Sequence, residues 1–199
     1  PVVAVEYEFY LLEDISGEIP RPRTGRVPGS ERRPVGPRAY SLEDLHDLDG
    51  FFAQVESAAA AQHVPAGAIV SEYGAGQFEV NLHHEKDALA ACDHAILLRR
   101  LVRGIARQQG LAATFMAKPF RDLDGSGMHV HFSLLDESGR NVFGPAPPAA
   151  TPDAYPDTLR HAVGGMLSML PESLAIFAPN ANSYRRFRPG FFVPIAPNW

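Results

Sequence analysis

Six ionisable residues fall on otherwise apolar, β-like stretches: Glu6 and Glu8 in V-V-A-V-E-Y-E-F-Y-L-L-E, Glu72 and Glu79 in E-Y-G-A-G-Q-F-E, and His129 and His131 in D-G-S-G-M-H-V-H. Singly, each signal is weak. A lone H-x-H more often holds one hydrogen-bonded buried histidine and one solvated one, and two glutamates at i and i+2 are more often a solvent-facing strand edge. Jointly, four carboxylates and an imidazole form a hard-donor set that suits Mg²⁺ or Mn²⁺ better than zinc. Four negative charges can share more than one divalent ion, and crowding them onto apolar strands demands such compensation. Arg185, Arg186 and Arg188, packed into one loop, add cationic donors for carboxylate or phosphate groups. Cations plus arginines point to phosphoryl transfer or acyl-phosphate chemistry; a two-metal hydrolase is another use of the same donors.

These residues need strands to hold them. Val2 to Glu13 is rich in β-branched and aromatic residues and is a predicted strand with Glu6 and Glu8 on one face. Ala66 to Leu82 reads as two short strands around a glycine-containing bend, which sets Glu72 and Glu79 on neighbouring strand ends. Gly125 and Gly127 allow tight angles or close approach; the strand after them, continuing through Phe132 to Leu135, points His129 and His131 the same way. Asp136 to Asn141 makes a hairpin turn.

Helices follow from capping and period. Ser41-Leu42-Glu43-Asp44 starts one, Asp47 to His63 carries a longer one ending before Pro65, and Asp87 (N-cap) to Gly110 (C′) bounds a long amphipathic helix. Its Ala91, Ile96, Leu97 and Val102 are expected to face inward, with Arg99, Arg100, Arg103 and Arg107 as a solvated face. Asp157 to Met169 and Glu172 to Phe177 read as two helices interrupted at Pro171. The stretch Ile15 to Tyr40 is a long Pro, Gly and Arg-rich loop, and Pro145 to Pro152 is linker-like. The fold class is therefore α+β: a curved, antiparallel-rich sheet carrying the acidic residues on its concave face, with helices packed behind it.

Composition narrows the partners. With 199 residues, 45% of them hydrophobic, the chain can bury a sizeable core, and a net charge of −5 argues against a phosphate-backbone binder. No nucleic acid partner is expected. No membrane partner is expected either, since no apolar run reaches the roughly 20 residues of a spanning helix. Cys92 is the single cysteine, so a disulfide framework is excluded and a reducing, cytoplasmic setting is expected. The abrupt ends at Pro1 and Trp199 suggest a fragment of a longer chain.

Five pieces in order carry a resemblance: E-Y-E-F at Glu6 to Phe9, E-Y-G-A-G-Q-F-E at Glu72 to Glu79, K-P at Lys118 and Pro119, D-G-S-G-M-H-V-H at Asp124 to His131, and N-S-Y-R-R at Asn182 to Arg186. The sequence resembles the catalytic domain of the glutamine synthetase family over nearly its whole length. The resemblance implies ATP-dependent formation of a γ-glutamyl amide through a γ-glutamyl phosphate, with ATP, glutamate and an amine or ammonia as small-molecule substrates and two or more Mg²⁺ or Mn²⁺ ions. By position, Glu8, Glu72 and Glu79 would hold the metal beside glutamate, and Glu6 and His129 the metal at the phosphates. Gly125 and His129 would border the glutamate, Arg186 would act on its carboxylate or on the transferred phosphoryl group, and His131 and Ser133 would lie along the nucleotide.

One departure bears on the nucleophile. In ammonia-using members a glutamate stands six positions after the arginine that Arg186 matches; here Phe192 stands there. An aromatic ring cannot deprotonate ammonium but suits the carbon skeleton of an organic amine. The segment from Arg185 to Trp199 is similar to the branch that ligates polyamines or ethanolamine, so a γ-glutamyl-amine ligase is expected ahead of glutamine synthetase proper, and both ahead of a noncatalytic sensor or scaffold. Asp124 replaces an asparagine common in the family. Residues 1–199 would be a partial catalytic domain, lacking the N-terminal β-grasp domain and the C-terminal part, inactive alone, and dodecameric as part of the full-length protein.

Overall fold

The computed structural model of the chain describes residues 1–13, 20–26, 29–30, 32–33, 39–144 and 155–187. Within them the element order is β1 (Val2–Glu13), β2 (Arg21–Pro22), α1 (Leu42–His46), α2 (Asp49–Ala61), β3 (Ala66–Ser71), β4 (Gln77–Leu82), α3 (Ala88–Gln108), β5 (Ala112–Thr114), β6 (Met128–Ser133), α4 (Asp157–Phe177) and α5 (Ala181–Tyr184).

β1 is the axis of a six-stranded antiparallel sheet. On one side it pairs with β4 and then β2; on the other it pairs with β6 along Val2 to Tyr7 and with β5 along Tyr10 to Leu12. β3 pairs with the outer side of β4, with a register irregularity between Ala66 and Ile69. Strand alternation splits β1 into two faces. Val5, Tyr7, Phe9 and Leu11 enter the hydrophobic core with Phe78, Val80 and Leu82 of β4, whereas Glu6, Glu8 and Tyr10 face the other way.

Helices α2 and α3 cover the apolar face. From α2, Phe51, Phe52, Val55 and Ala59 are buried, and from α3, Ala91, Ala95, Leu98, Val102, Ile105 and Ala106. Aromatic rings stitch the layers: Phe9 stacks on Phe115 at 5.3 Å, and Phe52 meets Phe78 edge-on at 5.1 Å. The expected caps form. The Ser41 side chain accepts from Asp44 N, Asp87 accepts from Leu89 N and Ala90 N, and Gly110 closes α3 at φ +72.

Three expectations need correction. Ile96 is exposed, because the buried stripe of α3 runs 91, 95, 98, 102, 105 and Ile96 sits about 100° round from it. Pro171 does not split the last long helix, since α4 runs unbroken from Asp157 to Phe177. Its flanks, M-L-S-M-L before and E-S-L-A-I-F after, favour helix strongly enough to absorb the lost bond at one exposed site. Nor does α4 join the layer behind the sheet: none of its residues is buried, and its Val163, Met166, Leu167 and Leu170 stripe stays exposed. Half of the Ile15–Tyr40 loop, and Pro145 to Pro152, lie outside the described residues.

Candidate functional site

The open face of the sheet is a cleft of about 700 Å³ lined by Glu6, Glu8, Glu72, Glu79, His129 and His131, together with Tyr40, Tyr73, Gln77, Lys118, Asp124, Gly125 and Arg186. Register explains why these residues meet. Glu6 of β1 is the partner of His129 on β6, and Glu8 is the partner of Glu79 on β4. Period 2 then adds His131 on β6, while Gln77, Glu79 and Asn81 share the cleft face of β4. Glu72 stands one residue past β3, where its N–H donates to Gln77 O at 2.9 Å.

Both histidines reach the same carboxylate. His129 Nδ1 lies 3.0 Å from Glu6 Oε2, and His131 Nε2 lies 2.6 Å from Glu6 Oε1. His129 Nε2 is 4.0 Å from Glu8 Oε1. Glu8 Oε2 accepts from Gly127 N at 2.8 Å and from Gln77 Nε2 at 3.2 Å. Asn81 Nδ2 donates to Glu79 Oε1 at 2.9 Å.

The electrostatics follow from burial first and crowding second. Burial, then the neighbouring Glu8 and Glu79 carboxylates, push Glu72 up to about 7, opposed by the Tyr73 N–H and by His129. Glu79 is also raised, by burial first and by Glu6 and Glu8, against the Asn81 bond. The donor chemistry fits a hard divalent cation: one oxygen each from Glu6 and Glu79 and one nitrogen of His129 lie within 4.8 Å of one another. That trio draws from both sets named by the sequence resemblance, with Glu8 and Glu72 beside it in the cleft.

Arg186 reaches the cleft through a two-point clamp. Asn182 Oδ1 accepts from Lys118 N and its Nδ2 donates to Lys118 O, both at 2.9 Å, while the Asn180 side chain caps α5 by accepting from Ser183 N. The turn at 125–127 then needs its glycines for space. A Cβ on Gly125 would sit 2.7 Å from Ala117 O and 2.8 Å from Arg186 Cγ, and one on Gly127 would sit 2.9 Å from His129 Nε2.

The arginine loop does not act as one unit. Arg185 lines a separate hollow with Lys118, Pro119 and Arg121, and Arg188 and Phe192 lie outside the described residues. Ser133, two residues beyond His131, is not among the cleft's lining residues. Gln77, Tyr40 and Tyr73 carry no expected role from sequence. For Gln77 a signal existed: it is a polar residue in step with Glu79 and Asn81 on a strand whose other face is apolar.

The whole chain, residues 1–199, matches the family model "Glutamine synthetase, catalytic domain". It is 41% identical over 202 residues to gamma-glutamylputrescine synthetase PuuA of Escherichia coli (strain K12), covering 100% of this chain and 41% of that protein. It is 35% identical over 183 residues to the glutamate–isopropylamine ligase of a Pseudomonas species, covering 92% of this chain and 38% of the relative. The chain thus spans about two fifths of the length of these relatives. A Plasmodium falciparum glutamine synthetase structure superimposes with a TM-score of 0.82 over 96% of this chain and 40% of that one, at 18% identity, which speaks to the fold alone. An antiparallel sheet with an acidic open face, helices on its other face, and a family match over every residue lead to one conclusion: the chain belongs to the glutamine synthetase family, within its catalytic domain.

Proposed function

We propose that the full-length protein is an ATP-dependent ligase that joins glutamate to an organic amine through a γ-glutamyl phosphate. The observation that carries this reading is the single cleft holding Glu6, Glu8, Glu72, Glu79 and His129 together with Arg186 and the glycine turn. When bound, divalent cations supply the charge neutralisation that lets the phosphates of ATP approach a carboxylate.

This chain's own residues do the rest. Glu8, Glu72 and Glu79 would hold the cation on the glutamate side, and Glu6 and His129 would hold the one on the phosphate side. Gly125 and His129 border the glutamate, and Arg186 offers paired N–H donors to its carboxylate or to the transferred phosphoryl group. His131, with Ser133 further out on β6, lies along the nucleotide.

For the nucleophile, Tyr40 and Tyr73 support an organic amine. Two tyrosines among the residues lining an acidic cleft suit an alkylammonium, which presents a cation and a carbon skeleton at once. Phe192 belongs to the same reading, as does the name of the Escherichia coli relative. A preceding β-grasp domain, a following segment and dodecameric assembly complete the proposal for the full-length protein, with a cytoplasmic setting in which the free thiol of Cys92 stays reduced.

The test is phosphate release by the full-length protein with ATP, glutamate and Mg²⁺ or Mn²⁺, run with putrescine, ethanolamine or ammonia. Turnover should require the organic amine. Turnover on ammonia alone would move the assignment to glutamine formation, and failure to bind a divalent cation with ATP would favour a noncatalytic role.

A further inference from the structure

The acidic cluster and the glycine turn are two separate parts of the cleft, contributed by β1 and β4 on one hand and by the residues before β6 on the other. Glu8 of the cluster meets the turn directly through Gly127 N, and one further side chain is bonded to both. Gln77 is almost fully buried, at 2% exposure, and its carboxamide is used at both ends. Oε1 accepts from Gly74 N at 3.0 Å. Nε2 lies 3.2 Å from Glu8 Oε2, 3.0 Å from Gly125 O and 3.4 Å from Ser126 Oγ.

That environment permits one orientation of the amide. The Gly74 side offers only a donor, and the opposite side offers a carboxylate and a carbonyl, which are acceptors only. A flipped amide would set oxygen against oxygen twice. The two hydrogens of Nε2 therefore go to Glu8 and Gly125. Because Gly127 N also donates to Glu8 Oε2 at 2.8 Å, that oxygen is fully occupied by the turn and by Gln77. Glu8 Oε1, which lies 4.0 Å from His129 Nε2, is the oxygen left facing the cleft.

We propose that Gln77 is a positioning residue that couples the cation cluster to the 125–127 turn, so that a divalent cation and the carboxylate substrate bind cooperatively. The physical content is that neither part can shift alone. A cation that fixes the Glu8 carboxylate fixes Gln77 Nε2 and Gly127 N with it, and so sets Gly125 where the substrate lies. A ligand that orders the turn returns the effect to Glu8 by the same bonds, since linkage between two binding sites is reciprocal. The bend before β4 fits closely against this amide: a Cβ on Gly74 would sit 2.8 Å from Gln77 Oε1.

The link from Glu8 through Gln77 to the turn stands on geometry; Glu8's hold on a cation and the substrate's place at Gly125 rest on the glutamate ligase reading. Tyr10 provides the control. Its hydroxyl donates to Asp124 O at 2.9 Å, so it supports the same turn from the other end and has no bond to Glu8. Loosening the turn by itself and breaking the link through Gln77 are thus separable.

The experiment uses the full-length protein and follows Mn²⁺ binding by electron paramagnetic resonance, first without ATP or amino acid and then with saturating glutamate. Gln77→Met keeps the side chain's length and removes its hydrogen bonds. It should weaken Mn²⁺ alone by about 10-fold or more, the usual cost of losing a partner that orients a metal ligand. Glutamate should tighten Mn²⁺ about 5-fold or more in the parent and less than about 2-fold in the variant, where the bond from Gly127 N to Glu8 is left to carry the coupling. Tyr10→Phe should stay within about 2-fold of the parent for Mn²⁺ alone. Should Gln77→Met not fold, Gln77→Asn, whose amide falls a methylene short of both Gly125 and Glu8, must show the same two losses.

Equal weakening in the Gln77 and Tyr10 variants, or a Gln77 variant with parental Mn²⁺ affinity, would overturn the positioning role. Mn²⁺ weakening without any glutamate effect in the parent would overturn the coupling while leaving Gln77's hold on Glu8. Amide-ligase turnover, measured separately, reports on the reaction itself.

Discussion

The two faces of β1 differ in kind although they alternate residue by residue. On the helix side, Val5, Tyr7, Phe9 and Leu11 sit in a packed aromatic and aliphatic core; on the cleft side, Glu6 and Glu8 stand against Glu79 and two histidines. The first face gains free energy from burial, and the second gives some of it up by partly burying carboxylates and then crowding them, which raises Glu72 and Glu79 above their ordinary range. One strand therefore carries stability and chemistry on opposite sides, and substitutions should divide by face: core changes should cost fold, and cleft changes should cost ligands.

The largest effect belongs to the core face. Phe9 is fully buried between Phe78 and Phe115, so Phe9→Ala should lower the unfolding free energy by about 3–5 kcal/mol, measured by urea denaturation. A loss under about 1 kcal/mol would mean the layer can collapse around the gap, and the division between the faces would blur. The next effect belongs to the cleft. Glu79→Gln keeps an oxygen for the Asn81 bond and removes one charge from the crowd. Stability without metal should be unchanged or higher, while Mn²⁺ affinity by calorimetry should fall by more than about 10-fold. A variant that loses stability and keeps Mn²⁺ would reverse the assignment of this face.

How much of this was legible beforehand depends on range. β1, the β3–β4 hairpin, the Ser41 and Asp87 caps and the Gly110 stop are local signals, and each is where its residues place it. The acidic cluster was legible too, because glutamate on an apolar strand is anomalous wherever the strand goes. Register was not legible. Nothing within β1 says that Glu6 will face His129 while Glu8 faces Glu79, since pairing is settled by contacts far along the chain. The same holds for Gln77, whose role exists only once β4 lies beside the 125–127 turn, and for the arginine loop, where only the Asn182 clamp on Lys118 decides that Arg186 enters the cleft and Arg185 does not. For α4, the local helix preference on either side of Pro171 carries across the proline.

The smallest effect is the most discriminating between the faces, because it is a slope rather than a loss. Glu72 is raised from 4.5 to about 7, mainly by burial and then by Glu8 and Glu79. Between those two values the folded chain keeps a proton that the unfolded chain has released, so the unfolded state binds fewer protons and stability falls as pH rises through the window. Below it both states are protonated and above it both are ionised, so the slope vanishes at either end. Glu72→Gln should remove this contribution, leaving a flatter stability-against-pH curve than the parent in urea titrations with chelator present. Saturating Mg²⁺ should flatten the parent in the same way, because a cation among these carboxylates favours their ionised form. Parallel curves for parent and variant would show that Glu72 is not held against its neighbours, and the cost assigned to the cleft face would have to sit on Glu79 instead.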